Sequence, residues 1–262
     1  MNAPIGLFDS GLGGLSILKE IQEVLPFEQL IYLADSFNAP YGEKSKDEIV
    51  HISKRNTEYL IDKGCKLIVV ACNTATTNAI HVLRTDYQDF PFIGIEPAIK
   101  PAVLESKTNE VGILATKGTL SSRLFEVNSR KYKDTTVFVE VVGDGIVEAI
   151  ETNRSDSSQF IAQLKLQLMP FNRSNIDYLV LGCSHYPLIT TQIEKCLKRN
   201  ISLIDSGFAV ARQTKRVLSD QKILSLTNEE KPIQLVLNRT NQLALKTILK
   251  KINLKNYTII SS

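Results

Sequence analysis

The chain has 262 residues, enough for one large or two modest domains, each with its own core. A hydrophobic share of 43% beside a charged share of 23% is that of an ordinary globular protein. The formal charge of +3 is spread through mixed-sign stretches such as residues 44–56, which leaves no basic stripe for nucleic acid, and no apolar run approaches the ~20 residues of a membrane span.

The first apolar run begins almost at the N-terminus, which predicts no secretory signal and a cytoplasmic location. In a reducing compartment the four cysteines need no disulfides, and none of their spacings resembles a CxxC zinc pair. Cys65 and Cys196 read as structural thiols.

Taken in chain order, short apolar runs alternate with turn residues and helix-period stretches. IGLFDSG (5–11) leads into LSILKEIQEVL, QLIYLADS (29–36) into KDEIVHISKRNTEYLIDKG, and KLIVVACN (66–73) into TNAIHVLRTDY. FIGIEP (92–97) leads into AIKPAVLES, and the rhythm resumes with VGILATKG (111–118), TVFVEVVG (136–143), DYLVLGCS (177–184) and SLIDSG (202–207). This is the βαβα pattern of parallel sheets with covering helices, so the predicted class is α/β with mostly parallel sheets. The tail after Asp205 predicts a helix (AVARQTKRVL), a β-like run (IQLVLN) and a last helix (QLALKTILKKI) that return to complete the first half.

An internal repeat runs through the chain. IGLFDSG matches VGILATKG, KLIVVACNT matches DYLVLGCSH, and GIEPA matches LIDSG, at offsets of 106, 111 and 109 residues. Three blocks in the same order at nearly constant offset predict two similar α/β halves. The expected boundaries are 1–97 plus 209–262 for one domain and 98–208 for the other.

The two matching cysteines are the strongest chemical signal. Cys72 and Cys183 each end an apolar run, where open α/β sheets place their ligand chemistry. After Cys72, the residues Asn73, Thr74, Thr76 and Thr77 offer caps and donors at a helix start, a setting that favours a thiolate. Alone, Cys72 reads first as a buried cysteine finishing a strand, the most common fate of a cysteine. Cys183 lies beside Ser184 and two residues from His185, a plausible proton partner, with Pro187 placed to open a helix. Two such groups facing each other across a pocket are what removal of a proton from one face of a carbon, and its return to the other, requires.

Other candidates are weaker. The DSGLGG turn (9–14) puts Asp9 at a strand end and lets backbone N–H groups approach an anion, but it is neither a dinucleotide fingerprint nor a P-loop. In NAPYGEKS (38–45), Tyr41 could close over a small ligand and Gly42 could offer its N–H; a simple turn fits as well. Thr116 and Thr119 occupy the corresponding turn of the second half, with hydroxyls suited to a carboxylate. Glu151, near the end of a helical stretch, reads alone as a surface acid.

Together, DSGLGGLS, ADSFNAPYG, ACNTATTNA, GIEPA, LATKGT and GCSHYP resemble, in the same order, the cofactor-independent glutamate racemases of bacterial cell-wall synthesis. The resemblance covers residues 5 to 210. It implies two pseudo-symmetric α/β domains with the active site in the cleft between them, and interconversion of L- and D-glutamate without PLP or metal. It implies Cys72 and Cys183 as the two acid/bases on opposite faces of the α-carbon, assisted by Asp9, His185 and, less closely matched in its flanks, Glu151. Asp9, Ser10, Tyr41, Gly42, Asn73, Thr74, Ser184 and His185 would contact glutamate, with Thr116 and Thr119 beside them. Most of the family has Thr where this chain has Ser184; the hydroxyl is retained. The expected partner beyond substrate is a second copy, as a homodimer. An aspartate racemase, an amino-acid binding module and a redox or zinc protein stand as rival readings.

Overall fold

The computed structural model describes residues 3–198 and 200–261. In chain order its elements are β1 (Ile5–Asp9), α1 (Leu15–Val24), β2 (Leu30–Ala34), α2 (Lys46–Asp62), β3 (Leu67–Val70), α3 (Asn73–Asp86), β4 (Phe92–Gly94) and α4 (Ile99–Glu105). There follow β5 (Glu110–Ala115), α5 (Lys117–Leu120), α6 (Arg123–Arg130), β6 (Val137–Val142), α7 (Ile146–Glu151), α8 (Ser158–Gln167), α9 (Met169–Arg173) and β7 (Tyr178–Gly182). The last are α10 (Thr190–Cys196), β8 (Ser202–Ile204), α11 (Gly207–Asp220), β9 (Ile233–Leu237), α12 (Gln242–Lys251) and β10 (Tyr257–Ser261).

The strands form two sheets, ordered β10-β9-β2-β1-β3-β4 and β6-β5-β7-β8, and every strand pair is parallel. The order β2-β1-β3-β4 in the first sheet is the order β6-β5-β7-β8 in the second. The repeated sequence blocks are thus strands in equivalent positions: β1 with β5, β3 with β7, β4 with β8. In both sheets the connections leave the first central strand in opposite directions, which creates a crevice between β1 and β3 and another between β5 and β7. Such switch points are where open α/β sheets bind ligands.

Alternation along the strands explains the layering. Ile5 and Leu7 face a core shared with α1, α11 and α12, whereas Phe8 faces α2 and α3 together with Ile68 and Val70. The first of these cores continues into the second sheet through Leu114, Leu179 and Leu181, and α8 packs there with Phe160 and Leu164. The far face of the second sheet is closed by Ala98, Ile99, Ala102 and Phe125. The helices begin on residues chosen for it. Ser45 and Glu48 form a reciprocal capping box on α2, Ser122 and Ser157 cap α6 and α8, and Asn241 caps α12.

The tail departs from expectation in one respect. It adds two strands, because residues 257–261, which read as no element, form β10 beside β9. Both join the first sheet, and α12 is the crossover between them.

Candidate active site

Six loops meet at one place: those leaving β1, β2 and β3 in the first sheet, and those leaving β5, β6 and β7 in the second. Between them lies a cavity of about 390 Å³. Cys72 and Cys183 both line it, each almost completely buried and each a free thiol.

The two thiols have different surroundings. Cys72 is itself the N-cap of α3: its sulfur accepts the Ala75 N–H at 3.5 Å and donates to Ser10 Oγ at 3.9 Å. Burial, reinforced by the Asp9 carboxylate, pushes the Cys72 thiol well above its usual range. It therefore rests as a thiol. Cys183 Sγ lies 3.8 Å from His185 Nδ1, and His185 Nε2 lies 2.6 Å from Glu151 Oε1. Burial alone would deprotonate His185, but hydrogen bonds to Cys183 and Glu151 and their charges outweigh it and raise the imidazole well above 6.5. A protonated His185 sets a cation beside the Cys183 sulfur, with Glu151 behind it.

The glycine turn serves this second thiol. The Leu12 N–H donates to Glu151 Oε1 at 2.5 Å, and the Gly14 N–H donates to Asp9 Oδ2 at 2.8 Å. The anions that the sequence led one to expect at this turn are the protein's own carboxylates. A Cβ on Gly11 would stand 2.2 Å from Glu151 Oε1 and one on Gly13 2.3 Å from His185 Nδ1, so both positions require glycine for close approach. Ser184 Oγ donates to Asp9 Oδ1 at 3.3 Å, and Ser16 Oγ donates to the Ser184 carbonyl at 3.0 Å. Asp9, fully buried between these donors, is raised above its usual carboxylate value by burial, with the His185 charge opposing.

On the opposite wall, Thr74 Oγ1 lies 2.8 Å from Thr116 Oγ1 and 3.3 Å from Thr119 Oγ1, joining the start of α3 to the start of α5. Asn73 is buried at the cavity, and both polar atoms of its side chain are without a hydrogen-bond partner among the described residues, an amide positioned for a ligand. Tyr41 lines the cavity. It is buried, and its hydroxyl donates to Asp35 Oδ2 at 2.7 Å and accepts from Asn56 Nδ2 at 3.0 Å. Asp35 also accepts from Asn38, Arg55 and Asn238, so the loop carrying Tyr41 and Gly42 is anchored from beneath.

The cavity is lined by Ser10, Tyr41, Gly42, Cys72, Asn73, Thr74, Thr116, Glu151, Cys183, Ser184 and His185, all read from the sequence. Asp9 and Thr119 lie one layer behind and touch the lining residues. Lys117, Glu43, Asp144 and Glu148 also line the cavity and were not foreseen. Lys117 and Glu43 adjoin motif residues. Asp144 and Glu148 follow β6, the counterpart of β2, so carrying the repeat one strand further would have found them.

A cavity walled by two thiols, one hydrogen-bonded to an imidazole and carboxylate, with amide and hydroxyl donors between, can take an amino acid and move protons at its α-carbon. Comparisons with known proteins agree in kind. The profile of the Asp/Glu/hydantoin racemase family matches residues 5–214. A glutamate racemase of Ralstonia pickettii is 46% identical over 217 residues, 83% of this chain and 77% of that one. The glutamate racemase of Francisella tularensis, solved in complex with D-glutamate, superposes with a TM-score of 0.85 at 28% identity, covering 99% of this chain and 98% of that one. The Escherichia coli glutamate racemase, solved with L-glutamate and an activator, gives 0.85 at 30% identity over 99% and 97% of the two chains.

Proposed function

The chain belongs to the Asp/Glu/hydantoin racemase family, and on that premise we propose that it interconverts L- and D-glutamate by proton transfer through Cys72 and Cys183. The observation that carries this reading is the pair of buried thiols, delivered by equivalent strands of two like sheets to one cavity. The solved relatives that hold D- and L-glutamate support the substrate.

In one direction the Cys183 sulfur, as thiolate beside protonated His185, takes the α-proton while the Cys72 thiol supplies a proton to the opposite face. The new Cys72 thiolate is held by the Ala75 N–H and Ser10. In the other direction the roles exchange. Asn73, Thr74, Ser10 and Ser184 supply donors for the substrate carboxylates, Gly42 its backbone, and Thr116 with Thr119 fixes Thr74. Asp9 and Glu151 act on the thiols' neighbours. The α-proton is far less acidic than a thiol, so the barrier falls through orientation and through donors already in place before charge develops.

The same reading makes the protein a cytoplasmic homodimer whose D-glutamate supplies peptidoglycan synthesis, with domains at 1–97 plus 209–262 and at 98–208. The test of the chemistry is proton NMR of each glutamate enantiomer in heavy water. Loss of the α-proton signal and appearance of the other enantiomer from both sides is expected. Cys72→Ala and Cys183→Ala should each abolish inversion while leaving the fold intact. Full activity in either variant, or exchange with aspartate only, would overturn the assignment.

A further inference from the structure

Residues 39–43, between β2 and α2, form one wall of the cavity. Asp35, a fully buried carboxylate, holds them from beneath: its Oδ2 accepts the Tyr41 hydroxyl, and its Oδ1 accepts two amides, Asn38 at 2.8 Å and Asn238 at 3.1 Å. Asn38 belongs to the same loop. Asn238 follows β9 in the tail, beyond residue 214, where the match to the family profile ends. The wall is closely fitted on its other side, since a Cβ on Gly42 would stand 3.1 Å from Thr116 Cβ. A shift of this loop is therefore a shift of the cavity wall.

Asn238 uses both ends of its amide. Its Nδ2 donates to Asp35, and its Oδ1 accepts the Phe37 N–H at 2.9 Å. Two bonds of opposite sense fix both the place and the orientation of the turn at 35–37, and among side chains of that length only an uncharged amide carries donor and acceptor together on one carbon. Beside it, Thr240 Oγ1 lies 3.2 Å from Ser36 Oγ, and the Arg239 guanidinium lies 4.5 Å from the centre of the Phe37 ring. Three successive tail residues thus grip residues 35–37.

Building on the racemase reading above, we propose that Asn238 is a positioning residue for the substrate. Through Asp35 and Phe37 it sets the loop whose Gly42 faces glutamate, so the tail governs affinity without reaching the cavity. Among the described residues that line the cavity, none belongs to the tail. A wall that is in place for substrate and transition state alike contributes uniform binding, and its displacement raises KM while leaving kcat.

The test is initial-rate kinetics with L- and with D-glutamate, beside thermal unfolding, for wild type and three variants of the full chain. Asn238→Ala should raise KM about tenfold for both enantiomers, as for one lost hydrogen bond to a buried carboxylate, with kcat within about twofold of wild type. Asn238→Asp keeps the shape but turns a carboxylate toward Asp35, and should raise KM further. Asn241→Ala is the control. Asn241 lies in the same loop but caps α12 through the Leu243 and Ala244 N–H groups, so its loss should lower the unfolding temperature and leave KM at the wild-type value. KM unchanged in both Asn238 variants, or raised as much in Asn241→Ala, would overturn the positioning role. So would a fall in kcat at constant KM, which marks a smaller folded fraction rather than a displaced loop. A folded wild type that racemises neither enantiomer would instead overturn the proposed function itself.

Discussion

At the scale of single residues, the site depends on how closely main chain approaches side chain. Gly13→Ala would put a Cβ 2.3 Å from His185 Nδ1, the atom that faces Cys183. The imidazole must move, so racemisation should fall by about 100-fold or more, at a stability cost of about 1–3 kcal/mol for overpacking. Paired assays of exchange rate and denaturant midpoint would check it; an alanine variant as active as wild type would show that the contact does not orient His185. Protonation gives a second prediction. His185 is raised in the folded state, so its contribution to stability is complete below 6.5 and is lost as pH rises through the folded value. Asp9, raised chiefly by burial, has the same sign: its contribution is complete below 3.8 and lost on the way up. Thermal stability should thus decline from neutral to alkaline pH, and His185→Gln should flatten that decline. An unchanged slope in the variant would mean that His185 does not hold its proton in the native state.

At the scale of elements, the connection from α11 to β9 is fastened by one buried ion pair. Glu28, just before β2, lies 2.7 Å from Lys66, just before β3, and both side chains are nearly inaccessible. Lys66 Nζ also donates to the Ile223 carbonyl and the Ser225 N–H donates to Glu28, each at 2.7 Å. Lys66→Met should destabilise by about 3–5 kcal/mol because it strands a buried carboxylate, and adding Glu28→Gln should recover part of that. Urea denaturation of the single and double variants measures it; additive losses would contradict the pairing. These elements also show what sequence could and could not disclose. Runs such as KLIVVACN and DYLVLGCS announce buried parallel strands because both faces are apolar, and their repetition announces the twin sheets. Residues 257–261 carry the β-branched and aromatic residues of a strand but no burial pattern, since all five are exposed at a sheet edge. The cysteines, Asn73 and His185 were legible because local spacing places them at strand ends. The Leu12 N–H on Glu151 spans 139 residues, and Asn238 on Asp35 spans 203, so only the fold could bring them together.

At the scale of the whole molecule, the two halves match in topology and differ in chemistry. The first presents a thiol that caps α3 and is backed by Asp9; the second presents a thiol with an imidazole and Glu151. Racemisation nonetheless has an equilibrium constant of one, so kcat/KM must be equal for the two enantiomers in any variant. Asymmetry in the machinery can appear only in kcat and KM taken separately. Glu151→Gln removes the charge behind His185 without touching the Cys72 side. It should lower kcat/KM equally in both directions, by about 10²- to 10⁴-fold if His185 loses its proton, while kcat falls by different factors for L- and D-glutamate. Initial rates from each enantiomer, saturated in turn, read this directly. If both kcat values fell by the same factor, Glu151 would be acting on a state common to the two directions, such as the closed fit of the two halves around the cavity, rather than on the Cys183 sulfur through His185. Values of kcat that fall by different factors, and return to the wild-type ratio in Glu151→Asp, would place the effect on that sulfur, where a carboxylate 2.6 Å from the imidazole is positioned to exert it.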